Sequence, residues 1–333
     1  FMDDLDAMDS TLKFGNKFMD WRTDDWFNPL LDGGVAIHIN NFKLKDFVFP
    51  RLAERFPLKF KTMEGLVDDI VSTGNGADVI VNGVAHHFDH VVDTRGFPKD
   101  YSGYHIVNSL PLNHGIIHTE YKPGDWQYTE HRATANGWMF GIPLQSRSTY
   151  GYLFNDTKST REEVISDMSA YLGTTLISDK IIEYQFKSYY ANKVYEGRVL
   201  KNGNRALFLE PLSATSIFVY IQTIKSFTDH LALPASFPEQ GINDAFTSNI
   251  ESLEDMLSFF YHGGSELDTE FWRHAKDLGQ SRLKNSKVLE YVIQEFKNMD
   301  SMGLSHKGPK WFFTPVTLRI VDEKMGYNYF KSK

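Results

Sequence analysis

The sequence predicts an α/β protein of the α+β kind, with mixed sheets in its first half and mainly helices in its second half. Residues 34–97 alternate between apolar, strand-like runs and short helix-like segments. Residues 104–155 are typical of sheet, because aromatic and aliphatic residues recur there with a period of two. Beyond residue 156, apolar residues recur at helical spacing behind capping signals. We therefore expect two parts, 1–155 and 156–333.

Composition narrows the classes of protein that fit. The chain has 333 residues, of which 41% are hydrophobic and 14% aromatic, enough for a large core in one big domain or two joined ones. A net charge of −8 argues against a nucleic-acid-binding surface. No apolar run approaches the roughly 20 residues of a membrane span, and no signal-peptide pattern stands at the start. The lack of cysteine excludes disulfides and thiol chemistry and fits a reducing compartment, so we expect a cytoplasmic protein.

Three segments of the second half predict helices. Thr160 and Glu163 have the spacing of a capping box, and an apolar stripe follows them. Ser252 stands where a helix N-cap would, just before another apolar stripe. Residues 286–299 form a last amphipathic segment.

Residues 202–217 predict a strand, a tight turn and the start of a helix. The apolar run 206–209 is typical of a short buried strand, and Pro211 ends it because proline cannot donate to a strand ladder. Apolar residues at helical spacing resume at Ile217. The first backbone N–H groups of a helix attract anions or polarised oxygens. The simpler alternative is an ordinary strand–helix connection without a ligand.

This stretch resembles a known flavin-contacting turn. The segment 208–212, F-L-E-P-L, followed by Thr215, is similar to the F-x-E-P-L-E-S-T-G turn of the flavin-dependent tryptophan-halogenase family. The resemblance implies that Thr215 and Ser216 bind halide and that Pro211, Leu212 and Ile217 contact flavin.

Two residues depart from the family pattern in this turn. Ser213 stands where tryptophan halogenases carry a glutamate that orients the substrate and polarises the reacting species, and it takes that catalytic position here. Ser216 stands where they carry glycine.

A second match lies near the N-terminus of the chain. Residues 12–22 are similar to the family pattern F-K-x-x-I-K/R-F-x-N-W, aligned through Phe18 and Trp21. The resemblance then implies that Lys13 is the catalytic lysine, which captures hypohalous acid and presents it to the substrate, while Lys17 takes a more variable basic position. Most lysines lie in solvent, so a surface position is the alternative for both. Burial between aromatic rings would lower the pKa of Lys13 and favour its neutral amine.

A third match is the segment W-M-F-G-I-P at 138–143, similar to the family signature W-x-W-x-I-P with phenylalanine for the second tryptophan. The resemblance implies that four of its residues separate the flavin site from the substrate site; we call Trp138, Phe140, Ile142 and Pro143 the aromatic wall. An aromatic core strand is the alternative.

Weaker matches concern the cofactor and the helical half. Residues 91–97 resemble the V-V-D-x-S-G-F segment that closes the flavin-binding domain, which would place Leu66 in a strand that contacts the cofactor. The fingerprint G-x-G-x-x-G is absent. In the family it stands at the extreme N-terminus, so we expect the ADP half of FAD to be held by residues that precede this sequence. Residues 261–262 resemble a family H-Y pair with the order inverted, and we assign His262 no catalytic role.

Together these matches identify the chain as a member of the flavin-dependent halogenases, with a flavin-monooxygenase-like fold. The resemblance implies FADH2, O2 and chloride, bromide or iodide as reactants, a separate flavin reductase as partner, and a small electron-rich aromatic substrate. We expect no nucleic-acid or membrane partner and allow for a homo-oligomer. A flavin-dependent hydroxylase of the same fold and a non-catalytic relative are the alternatives.

The sequence offers little for other chemistries. His86 and His87 are neighbours in a predicted strand, so their side chains point to opposite faces and cannot share a metal ion. The motifs H-E-x-x-H, G-x-S-x-G and G-x-x-x-x-G-K-[ST] are missing. We predict no metal site.

Overall fold

The computed structural model describes residues 2–22, 24–30, 34–176, 181–284, 286, 290, 293–294 and 315–329. Most of the helix predicted over 286–299 lies outside these residues. The helices of the described chain are α1 Met2–Ala7, α2 Asn41–Arg55, α3 Arg161–Leu172, α4 Ser216–Ala232, α5 Glu239–Tyr261, α6 Glu270–Leu283 and α7 Pro315–Met325.

The strands of the described chain are short and are spread over five sheets. In chain order they are β1 Thr11–Lys13, β2 Gly15–Met19, β3 Trp26–Pro29, β4 Ala36–His38, β5 Val67–Ser72, β6 Ala77–Val81, β7 Val84–Phe88, β8 Val91–Asp93, β9 Tyr104–Ile106, β10 His114–Glu120, β11 Thr129–Thr134, β12 Gly137–Pro143, β13 Ser148–Phe154, β14 Ile182–Gln185, β15 Tyr189–Ala191, β16 Tyr195–Glu196, β17 Val199–Lys201 and β18 Leu207–Phe208.

The largest sheet has seven strands in the order β14-β10-β13-β12-β11-β2-β3. Its neighbours are antiparallel except for β11 and β2, which run parallel, so the sheet is mixed as the sequence predicted. Strand β12 lies in its middle and contains the aromatic wall. The helices after α3 then confirm the predicted, mainly helical second half.

Two hydrophobic clusters cover the two faces of this sheet. Trp138 points into the larger cluster, together with residues of α4, α5 and α6, while its neighbour Met139 packs in the smaller cluster beneath α3. This division follows from the period of two along a strand. Helix α3 begins with the predicted capping box: the Glu163 carboxylate accepts from the Thr160 backbone N–H, and the Thr160 hydroxyl oxygen accepts from the Glu163 N–H.

Four smaller sheets surround this layer, and one of them positions the N-terminal lysine segment. In it, β1 pairs antiparallel with β4, so that Lys13 lies opposite Ala36 and Thr11 lies opposite His38. The others have the orders β5-β6-β7, β16-β17-β8 and β18-β15-β9. Strand β18, which precedes residues 211–216 in the chain, therefore belongs to a sheet that also contains β9 of the first half.

Two sequence predictions are wrong in their bounds. No helix begins at Ser252, because α5 already begins at Glu239 and Ser252 lies buried in its interior. Leu66 is not in a strand: it lies one residue before β5 and is 71% exposed, and its backbone N–H and C=O bond Asn82 at the end of the β5-β6 hairpin. No helix among the described residues is both long and apolar enough to cross a membrane.

Candidate functional site

The segment 206–217 has the predicted order of strand, tight turn and helix. The strand is reduced to β18, a 3-10 turn covers Leu212–Ala214, and α4 begins at Ser216. Ser213 and Ala214 have φ values of 62° and 54°, in the left-handed region that non-glycine residues seldom adopt. The chain thus reverses tightly; we call residues 211–216 the 211–216 turn.

The turn presents the groups that an anion would need. Thr215 is buried, and its hydroxyl oxygen has no hydrogen-bond partner among the described residues. It directly precedes the N-terminus of α4, where the first backbone N–H groups lack partners within the helix. Burial raises the pKa of Tyr220 to about 12, and the nearby Ser216 side chain opposes this rise. The Tyr220 hydroxyl itself donates to the Asn204 amide oxygen at 3.0 Å. Thr215 therefore has the more available hydroxyl.

The predicted flavin contacts in this turn differ in exposure. Ile217 is exposed and Pro211 is half-buried, so both can meet a ligand. Leu212, in contrast, packs in the larger hydrophobic cluster with no exposed surface. Ser213 is half-buried and lies at the tip of the turn.

Lys13 is buried at the end of β1, with only 7% of its surface exposed, so the surface position considered for it is wrong. Burial lowers the pKa of its amine from 10.5 to about 8. Lys17 behaves differently: its ammonium lies 3.6 Å from the Asp25 carboxylate, and its side chain is one-third exposed. The buried lysine is thus the one for which the sequence resemblance implies the catalytic role.

Two buried histidines lie close to Lys13. Burial, with a smaller contribution from the Lys13 charge, lowers the pKa of His38 to about 4 and that of His131 well below its usual range. His38 Nε2 lies 2.9 Å from the Thr129 hydroxyl, and His131 Nε2 lies 3.2 Å from the Asn16 amide oxygen. Both rings are therefore uncharged near neutral pH, so neither adds a positive charge beside Lys13.

The aromatic wall lies on β12, and its last residue contacts β1. Trp138 is fully buried, and Phe140 is half-buried with its ring 6.4 Å from that of Trp138. Ile142 is half-buried, and Pro143 at the strand end is buried. The Thr11 hydroxyl donates to the Pro143 carbonyl oxygen at 2.7 Å, which connects the strand of Lys13 to the wall.

Sequence reasoning missed two polar residues that the structure brings to this region. Glu210 has no exposed surface, and Tyr261 donates a 2.6 Å hydrogen bond to its Oε1. Burial raises the pKa of Glu210 to about 8. The sequence feature that could have indicated a buried Glu210 is its place directly after the apolar run 206–209. Tyr261 is the last residue of α5 and ends an aromatic run, and the resemblance noted for residues 261–262 gave it no role.

A cleft of about 680 Å³ lies beside the segment 91–97. Leu66 and Phe97 give it apolar edges, and Arg95, Lys99 and Arg205 give it cations. Arg95 and Arg205 both bond the buried Asp93 carboxylate, at 3.0 and 3.1 Å. The lining also contains the carboxylates of Asp68 and Asp100, so the cleft combines apolar, basic and acidic side chains. Among the described residues, no three His, Asp or Glu side chains are grouped so as to hold a metal ion.

Comparison of the sequence with known proteins finds tryptophan halogenases, both as a family model and as individual relatives. The family model for tryptophan halogenase matches residues 78–315. The tryptophan 6-halogenase ThaL of Streptomyces albogriseolus is 23% identical over 69% of this chain, and the tryptophan 7-halogenase RebH of Lentzea aerocolonigenes is 21% identical over 52%. The chain covers only 40% and 33% of the lengths of these two relatives.

Solved structures are similar over almost the whole chain. BrvH, a flavin-dependent halogenase from Brevundimonas sp. BAL3, superposes with a TM-score of 0.79 and 18% identity over 97% of this chain and 78% of its own. The tryptophan 6-halogenase SttH from Streptomyces toxytricini gives a TM-score of 0.76 and 17% identity over 96% and 78%. At these identities the structural similarity establishes the fold.

Proposed function

The chain belongs to the tryptophan-halogenase family, and from that premise we propose that it is a flavin-dependent halogenase of electron-rich aromatic compounds. The observation that carries the proposal is the burial of Lys13, whose lowered pKa makes a neutral amine accessible near physiological pH. A lysine is seldom buried without an acidic partner unless its chemistry is needed. Its strand is hydrogen-bonded to the aromatic wall, the proposed boundary between the flavin site and the substrate site.

The family implies FAD, and the residues present fit it in part. Reduced FAD and O2 would supply the oxidising equivalents that convert halide into hypohalous acid. Leu66, Pro211, Leu212 and Ile217 are the proposed flavin contacts. Of these, Leu212 would contribute its backbone, because its side chain is fully buried. A separate flavin reductase would provide FADH2.

The 211–216 turn is the proposed halide site. Thr215 offers an unpartnered, buried hydroxyl beside the first N–H groups of α4, a combination that favours an anion. Ser216, the first residue of α4, is the second proposed halide-binding residue.

Lys13 and Ser213 are the proposed catalytic residues, and the aromatic wall is the proposed barrier between flavin and substrate. Hypohalous acid from the halide site would reach the Lys13 amine, which holds it by a hydrogen bond or as a haloamine and directs it to the substrate. Trp138, Phe140, Ile142 and Pro143 would keep the substrate from the flavin, which favours halogenation over direct oxygenation.

The test is an assay with a flavin reductase, O2, bromide and a phenol, read by mass spectrometry. We expect a product that has gained bromine. Lys13→Ala should lose this activity and remain folded, while Lys17→Ala, four residues away on an exposed ion pair, should keep it. A product that has gained oxygen alone would identify a hydroxylase, and no product from the full natural chain would identify a non-catalytic relative. Bromination by Lys13→Ala at the wild-type rate would refute the role of Lys13.

A further inference from the structure

A hydrogen-bonded chain of three buried side chains connects the aromatic wall to the 211–216 turn. The Trp138 indole N–H donates to the Tyr261 oxygen at 2.8 Å, and the Tyr261 O–H donates to Glu210 Oε1 at 2.6 Å. The three residues come from β12, from the end of α5 and from the position directly before Pro211. All three have no exposed surface.

This hydrogen-bonded series ends at the Glu210 carboxyl group, and no cation contributes to its pKa. Glu210 Oε2 has no hydrogen-bond partner among the described residues. Burial raises the pKa of Glu210, the Tyr261 hydrogen bond opposes that rise, and no cation contributes. A buried carboxylate with one hydrogen bond and no cation is strongly disfavoured, so the group is protonated at neutral pH.

The surrounding titratable groups do not alter this state. Burial and the neighbouring Glu210 raise the pKa of Tyr261 well above its usual range, so Tyr261 remains a donor. On the wall side, the ring of His131 lies 5.4 Å from that of Trp138, and its pKa is well below the usual range because of burial and Lys13. Among the three hydrogen-bonded side chains, Glu210 is therefore the one that can change its charge between neutral and alkaline pH. Lys13, whose pKa is about 8, loses its charge over the same range, and it does so in the wild type and in every variant alike.

We propose that Glu210 is a positioning residue that fixes the 211–216 turn to the aromatic wall through Tyr261 and Trp138, and that it must be uncharged for the turn to bind halide. This inference rests on the proposed function, because it concerns the halide site at Thr215. Glu210 precedes that threonine by five residues across a tight turn. A negative charge in this poorly solvated region would repel a second anion, and it would also reorganise the hydrogen bonds that hold the turn.

The experiment measures bromide binding to the full natural chain without requiring turnover. The thermal midpoint is recorded against bromide at constant ionic strength, with gluconate as the replacement anion, at about pH 6.5 and about pH 9.5, on either side of the expected ionisation. The variants are Glu210→Gln, which keeps the oxygen acceptor without the charge, and Tyr261→Phe, which removes the donor. Glu196→Gln, on an exposed ion pair with Lys193, is the matched control.

For the wild type and the control we expect bromide affinity to fall roughly tenfold at the higher pH, as for repulsion by one partly screened charge. Glu210→Gln should lose most of this fall and keep only the part that the deprotonation of Lys13 causes. Tyr261→Phe should bind bromide more weakly at the lower pH, because the turn loses its link to the wall. In the halogenation assay, Glu210→Gln should reduce the alkaline rise in the KM for bromide.

An infrared difference spectrum between wild type and Glu210→Gln gives a readout that is independent of halide. We expect the carbonyl band of a protonated carboxylic acid at neutral pH and its loss at alkaline pH. Absence of this band at neutral pH would overturn the inference. So would equal bromide affinity of the wild type at both pH values, or a fall in Glu210→Gln as large as in the wild type; in both cases the proposed function would stand. If bromide stabilises none of the proteins, the proposed function fails and this inference fails with it.

Discussion

Thr11 and Pro143 are joined by a 2.7 Å hydrogen bond from the threonine hydroxyl to the proline carbonyl oxygen, although they lie 132 residues apart in the chain. The contact fixes β1, which ends at Lys13, to the last residue of the aromatic wall. It is a direct structural connection between the strand of the proposed catalytic lysine and the proposed barrier between flavin and substrate.

Loss of this contact should affect both stability and catalysis. In Thr11→Val the Pro143 carbonyl oxygen loses a donor in a part-buried contact, which costs about 1 kcal/mol of the free energy of unfolding. We also expect a lower kcat, since the lysine strand is no longer fixed to the wall. Thr119→Val is the control, because Thr119 only faces Thr149 at 3.4 Å on the same sheet as the wall. Urea unfolding and the bromination assay measure the two effects, and equal behaviour of the two variants would contradict the prediction.

The pKa of Lys13 predicts how activity depends on pH. If the neutral amine is the working form, the rate should rise with pH through about 8, the pKa that burial gives this group, and then level off. A hydrogen-bonding cation would give the opposite slope over the same range. The bromination rate at saturating bromide and FADH2 distinguishes the two, with free hypobromite and the same substrate as the chemical control.

The same pKa predicts that Lys13 lowers the stability of the fold. Its pKa is about 8 in the folded protein against an ordinary value of 10.5, so the unfolded chain binds the proton more tightly. The cost is fully present below pH 8, falls as the pH rises, and vanishes near 10.5. Lys13→Met should therefore be inactive and about 3 kcal/mol more stable at neutral pH, as an upper value. Lys17→Met should leave the free energy of unfolding nearly unchanged, and a destabilised Lys13→Met would contradict the prediction.

Gly151 makes room for the ring of Phe140. The two residues pair across β12 and β13, and a Cβ atom at position 151 would overlap the Phe140 ring. Gly151→Ala should push this ring out of the wall and cost about 1–3 kcal/mol of stability. Gly74→Ala, where nothing lies within 4 Å of the added atom, is the control. Adding Phe140→Ala to Gly151→Ala should recover part of the loss, and additive costs in this double-mutant cycle would refute the contact.

The sequence predicted those parts of the site that depend on local pattern. The strand–turn–helix order around Pro211 and the period of two in the aromatic wall follow from spacing, and the structure reproduces both. The bond between Glu210 and Tyr261 could not be predicted, since 51 residues separate them and neither position has a periodic signal for the other. The wrong helix start at Ser252 also shows the limit of local pattern. A capping residue is recognised from its sequence neighbours, whereas tertiary packing favours a helix that continues through Ser252 from Glu239 to Tyr261.

Ser213 predicts the class of aromatic ring that the proposed halogenase accepts. In tryptophan halogenases a glutamate stands at this position, and a shorter, uncharged serine cannot stabilise developing positive charge in the same way. Loss of such a preorganised group costs on the order of 3 kcal/mol at the transition state. An unreactive ring depends most on this help, so phenols and pyrroles should be brominated and free tryptophan should react weakly. Bromide and iodide should serve at least as well as chloride, because their hypohalous acids need less assistance.

A competition assay between phenol and tryptophan under equal FADH2 and bromide tests this role of Ser213. Ser213→Glu restores the carboxylate at the tip of the turn, and Ser213→Ala is the matched control for loss of the hydroxyl alone. Both replacements must adopt the φ of 62° that Ser213 has, so they share the same backbone strain. We expect the glutamate variant to gain on tryptophan relative to phenol and the alanine variant to leave the ratio unchanged. Faster, single-site halogenation of tryptophan by the wild type would show that the substrate is selected elsewhere.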